Sequence, residues 1–169
     1  SSFYHELNPG FMRDPAFCRD VLELDVLSYE KGKIHRLFIN ALQSWALETP
    51  LKRGLPVGLP ASAIVANVAL VELDRCIERQ IVPIYYGRYV DDILLVMENG
   101  ADFRSTEELW KWLFSRSEGS LAWGPDSEKG GKVISFQPED FRNGDGKSQI
   151  HFANSKNKVF LLAGESGKT

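Results

Sequence analysis

Ile34, Leu37, Phe38, Ala41, Leu42, Trp45 and Ala46 recur at i, i+3, i+4 and i+7, the spacing of one helical face. The pattern predicts an α-helix ending near Thr49-Pro50, because the residue before a proline is pushed out of helical geometry. Upstream, Asp14-Pro15 offers an N-cap acceptor followed by a residue with preset φ. Phe17, Val21, Leu24 and Leu27 continue from it at helical spacing. Gly54, Pro56, Gly58 and Pro60 then punctuate a loop. From Ala61 the chain is apolar on nearly all sides until Asp74, which predicts a helix buried on most of its surface. Its small residues Ala61, Ser62, Ala63, Ala66 and Ala69 allow close approach by another element.

The rhythm then changes. Ile81 to Glu98 is rich in β-branched and aromatic residues without helical periodicity, and reads as β. Ser105 to Phe114 reads as a short helix with a Ser105/Glu108 capping box and a stop near Gly119. Trp123 to Lys132 is a polar, Gly-rich loop. Lys132–Gln137, Gln149–Phe152 and Lys158–Leu162 read as strands, the last two paired through Ser155-Lys156-Asn157. This order predicts an α+β fold with helices covering one face of an antiparallel sheet. Residues 1–122 form its main part and 123–169 a distal set of strands.

Composition adds boundaries. The 169 residues are 43% hydrophobic and 25% charged, enough for one domain with its own core. No apolar run reaches membrane-spanning length and no secretory signal opens the chain. Cys18 and Cys76 lack metal-ligand spacing and read as free thiols of a reducing, cytoplasmic compartment. The net charge of −3 counts against an extended nucleic-acid surface, though a local groove can still be basic. The chain opens without Met and closes on Gly-Lys-Thr, which predicts a piece of a longer protein. His5, His35 and His151 are isolated and predict no zinc site. The closing Gly-Glu-Ser-Gly-Lys-Thr is not a phosphate loop, because Leu162 stands where its first glycine is required.

Asp91 and Asp92 carry the candidate chemistry. In one straight strand their side chains would point to opposite faces, one of them towards the core. If the chain instead turns at Val90-Asp91, both carboxylates sit at a hairpin tip. They then either face solvent as turn residues or share a hard cation such as Mg²⁺, which takes oxygen ligands. Nothing at Val90 favours a tight turn. A valine with positive φ is strained, and such strain gathers at working sites.

Tyr85 to Val96, "YYGRYVDDILLV", resembles the Tyr-x-Asp-Asp signature of reverse transcriptases. Two other stretches stand in the order of that family. "SSFYHEL" is similar to the end of its first palm motif, and "RGLPVGLPASAIVANVALVELD" to the loop and helix that follow, often Pro-Gln-Gly. "NKVFLLAG" resembles the strand after the palm in bacterial members. The likeness runs from about Ser1 to Leu162 and is nearest to bacterial abortive-infection and antiphage reverse transcriptases.

The resemblance implies a polymerase palm, a split βαβ, ferredoxin-like layer. It also implies an RNA-directed DNA polymerase that uses two Mg²⁺ ions, or Mn²⁺, with primer-template and dNTP as partners. Asp91 and Asp92 would be catalytic and metal-binding. Phe3, Tyr4, Pro56, Val57 and Gly58 would line the nucleotide site. Tyr4 would be the gate that excludes a 2′-hydroxyl, and Lys158 would touch a primer phosphate.

Two departures follow from the same comparison. The first catalytic aspartate of the family should stand two positions before Ser1, so the chain as given should bind metal poorly and not polymerise. Val57 stands where many relatives have Gln, which bears on template positioning and fidelity. The sheet edge left by an absent first strand predicts self-association. The alternatives are an RNA-dependent RNA polymerase palm and a palm-derived binding or scaffold module without catalysis.

Overall fold

The computed structural model describes residues 3–21, 28–98, 103, 105–124, 133–136 and 150–153. Helix α1 (Phe3–Glu6) leads into a 3₁₀ turn at Pro9–Arg13 and a π-type turn at Phe17–Val21. The Asp14 carboxylate accepts from the backbone N–H of Ala16 at 2.8 Å, the cap expected from Asp14-Pro15. Leu24 and Leu27 of the helix expected there lie outside the described residues.

Helix α2 (Tyr29–Glu48) is the long helix that the apolar spacing foretells. Ser28 Oγ caps it, and Thr49 Oγ1 closes it on the carbonyl of Ala46 at 2.7 Å. Its buried positions are Ile39, Leu42 and Ala46. Ile34, Leu37 and Trp45 of the expected stripe are 67%, 59% and 40% exposed. The apolar surface of α2 is therefore wider than the stripe it buries, and spacing alone does not choose between its two halves.

The helix read from Ala61 to Asp74 is broken. Helix α3 (Pro60–Val68) stops, and α4 (Val71–Cys76) starts after Leu70, whose N–H turns to Asn67 O at 3.1 Å. No glycine or proline marks this break. A π-type turn, Ile77–Ile81, extends α4. It ends at Val82, whose φ is +53° and whose N–H closes on Ile77 O at 2.9 Å. The strand expected from Ile81 therefore begins later, after Pro83, a residue with no N–H to give to a ladder.

Strands β1 (Tyr85–Tyr89) and β2 (Asp92–Val96) pair antiparallel, Tyr85 opposite Val96 and Tyr89 opposite Asp92. Helix α5 (Thr106–Arg116) starts on Ser105 Oγ, which accepts from Glu108 N–H at 3.2 Å. Strands β3 (Leu121–Trp123), β4 (Val133–Phe136) and β5 (Ile150–Ala153) form a second antiparallel sheet in that order. Trp123, placed in the loop by the sequence reading, belongs to β3. The fold is α+β, and its described strands form two small sheets rather than the single sheet expected.

Two apolar cores organise these elements. The first joins Leu7, Phe11, Phe17, Ile39, Leu42, Leu55, Val65 and Ala66, so α2 and α3 pack through it. The second joins Leu70, Leu73, Ile77, Ile81, Leu113, Leu121, Ile134 and Phe136. Each fully buried large aliphatic side chain contributes about 1.5–3 kcal/mol to such a core. Tyr86, Ile93, Leu95 and Met97 lay the inner face of the hairpin on the second core. Phe3 packs against both cores and so ties the start of the chain to the hairpin layer.

Candidate functional site

The hairpin turns on Val90 and Asp91, since Tyr89 is paired with Asp92. Val90 has φ +56°. A β-branched residue in this region is strained by roughly 1–2 kcal/mol. The turn removes the conflict that a straight strand would impose on adjacent acids. Asp91 occupies the turn and Asp92 opens β2, both exposed at the tip. Inner positions 93 and 95 alternate with outer positions 92, 94 and 96, so the Asp92 position falls on the outer face.

The inner face of β1 carries two polar residues, Tyr86 and Arg88. Both meet Asp74, which lies on α4. Arg88 Nε donates to Asp74 Oδ1 at 2.7 Å and Nη2 donates to Oδ2 at 2.6 Å, a two-pronged pair of the strong type. The Tyr86 hydroxyl also donates to Asp74 Oδ1. Arg88 Nη1 reaches Asn67 Oδ1 at 2.8 Å and Val90 O at 3.0 Å. The side chain of Arg88 is only 9% exposed. Its hydrogen bonds to Asp74 hold the guanidinium pKa above its usual value. Burial, and then the bond to Asp74, push the Tyr86 hydroxyl well above the usual tyrosine range.

Phe3 and Tyr4 lie on α1, with their rings edge to face at 6.2 Å between centroids. The carbonyl of Tyr4 accepts from Leu55 N–H at 2.7 Å, and Leu7 O accepts from Gly54 N–H at 3.1 Å. Gly54 has φ +109°, and a Cβ there would stand 3.2 Å from Tyr4 O and 3.1 Å from His5 O. Glycine is therefore required on two counts, conformation and close approach. Pro56 is half-buried, Val57 is 68% exposed, and Gly58 has φ +85° with open space around it.

The structure thus joins Tyr4 and Leu7 to Leu55 and Gly54 of the 54–58 loop by backbone bonds. The path from that loop to the carboxylates runs along α3 to Asn67, then through Arg88 to Val90. Lys158 lies outside the described residues, as do Lys129, Lys132, Lys147, Lys156 and the 158–162 strand. The sequence reading missed Asn67, Asp74, Tyr86 and Arg88 as parts of the site. A signal existed: Tyr86 and Arg88 lie two apart in a segment that reads as β, so they share a face, and a guanidinium withdrawn from water needs an acid to meet it.

Asp91 and Asp92 are hard oxygen donors, the chemistry that suits Mg²⁺. No group of three or more His, Cys, Asp or Glu side chains able to hold a metal stands among the described residues. The tip fits part of a cation site, with two carboxylates. Comparison with protein-family models, curated proteins and solved structures finds no match. Among the described residues, no helix is long and apolar enough to cross a membrane.

Proposed function

We propose that this chain is the palm of an RNA-directed DNA polymerase that extends a primer 3′-hydroxyl with deoxynucleotides. The observation that supports it most is the turn at Val90-Asp91, which brings both carboxylates to one tip despite the strain at Val90. A two-residue hairpin turn takes positive φ at its first position, where Gly, Asn or Asp would sit without the strain that a valine carries. The motif order around Phe3-Tyr4, Gly54 to Gly58 and Asp91-Asp92 supplies the rest of the case.

In this reading Asp91 and Asp92 are the residues that would hold Mg²⁺ or Mn²⁺. The bound ion would supply charge neutralisation at the transferring phosphoryl group. The chain's own part is positioning. The hairpin presents the acids, and α1 with the 54–58 loop shapes the nucleotide site. In the same reading Tyr4 would be the gate whose ring excludes a 2′-hydroxyl.

Primer extension by the full-length protein on RNA and DNA templates tests the reading, with dNTPs or NTPs and with or without EDTA. The expected result is Mg²⁺-dependent incorporation of dNTPs that EDTA abolishes. Preferential use of NTPs would move the chain to RNA polymerases. No synthesis with either set would overturn the reading.

A further inference from the structure

The guanidinium of Arg88 connects the hairpin tip to the helices behind it. The planar fork of Arg88 spends Nε and Nη2 on the two oxygens of Asp74, and Nη1 on Asn67 Oδ1 and Val90 O. Val90 O belongs to the residue with φ +56°, immediately before the two acids. The hydrogen bond to that carbonyl restricts how the Val90-Asp91 peptide can rotate. Asp74 and Asn67 fix the fork itself, and the Tyr86 hydroxyl donates to the same Asp74 Oδ1 that Arg88 Nε uses.

We infer that Arg88 is a positioning residue: it holds the Val90 peptide in its left-handed turn so that Asp91 and Asp92 are presented together. The inference rests on the polymerase reading for its catalytic consequence, and on geometry alone for the state of the turn. Lysine retains the charge but cannot reproduce a planar fork that serves Asp74 and Val90 at once. Released from the fork, the turn relaxes towards negative φ and the two acids separate. A misplacement of about 1 Å at a catalytic group lowers a rate on the order of 100-fold.

The test uses Arg88→Lys in the full-length protein, with Asp91→Asn as a reference and two readouts. The first is the intraresidue amide-to-Hα cross-peak of Val90 by NMR, which is strong only when φ is positive. The second is primer extension across a Mg²⁺ series. Arg88→Lys is expected to lose the strong cross-peak and to slow extension by about 10- to 100-fold. It is also expected to need more Mg²⁺ for half-maximal rate, with excess Mg²⁺ restoring part of the loss. Asp91→Asn is not restored.

A strong Val90 cross-peak retained in Arg88→Lys overturns the inference. So does a rate loss that no Mg²⁺ concentration relieves, since a purely structural role gives that result. If the wild-type protein makes no product, the polymerase reading falls, and the cross-peak alone decides whether Arg88 holds the turn. Should Arg88→Lys not fold, Asn67→Ala removes one support at an exposed position and must shift both readouts in the same direction. An unchanged cross-peak and Mg²⁺ requirement in Asn67→Ala would then overturn the inference.

Discussion

Arg88 and Asp74 are joined by two parallel hydrogen bonds, at 2.7 and 2.6 Å, that fasten β1 to α4. The pair is mostly withdrawn from water, with 9% and 24% of the two side chains exposed. An ion pair at the surface would add little to stability. Removing one member of a buried pair strands the other. Asp74→Ala leaves both Arg88 and the Tyr86 hydroxyl without their shared acceptor. A loss of about 3 kcal/mol in urea unfolding is expected. A change below about 0.5 kcal/mol would mean that the pair behaves as a solvated surface contact.

Gly54 and Gly58 both have positive φ, but only Gly54 is crowded. Alanine at either position meets the backbone cost of about 1 kcal/mol. At Gly54 the added methyl also presses on Tyr4 and His5. Gly54→Ala is expected to cost roughly 2–3 kcal/mol in thermal or urea unfolding, against about 1 kcal/mol for Gly58→Ala. Equal effects would show that the 54–55 segment does not depend on its contact with α1.

The buried Cys76 thiol sets a pH dependence. Burial, with the Glu118 and Glu72 charges as smaller causes, pushes its pKa above the ordinary value to about 11. The unfolded chain therefore gives up this proton at lower pH than the folded one. The stabilisation is fully present below the ordinary thiol pKa and is lost as pH rises to about 11. Stability is expected to fall from about pH 9 upward, because the ordinary thiol pKa lies just below it. Cys76→Ala should flatten part of that slope. Tyr86 acts in the same direction at still higher pH. A stability curve flat between pH 8 and 11 would contradict the assignment.

Much of this architecture is legible in the sequence, where local signals and tertiary packing agree. Helix α2 ends at Thr49, where the Thr-Pro pair foretells it. Helix α5 starts on the Ser105 cap, and the hairpin turns at the acids rather than passing straight through them. The break between α3 and α4 carries no local signal. Ala69 and Leu70 are good helix formers, and both are buried in the two cores. Ile39 falls outside the apolar stripe expected from the spacing, although it is the most deeply buried residue of α2. Val82 and Ile84 look like strand residues but follow a π-type turn and flank a proline. The Arg88 network is non-local by nature. It links positions 67, 74 and 88, whose meeting depends on how the hairpin lies on the helices.

The proposed role of the tip acids is tested most directly by primer extension with the full-length protein and its Asp91→Asn form under saturating Mg²⁺. The substitution preserves size and removes the charge. The account predicts a loss of synthesis of at least about 10³-fold, while the urea midpoint stays near that of the wild type because the side chain is exposed. Synthesis retained within about tenfold by Asp91→Asn would contradict it.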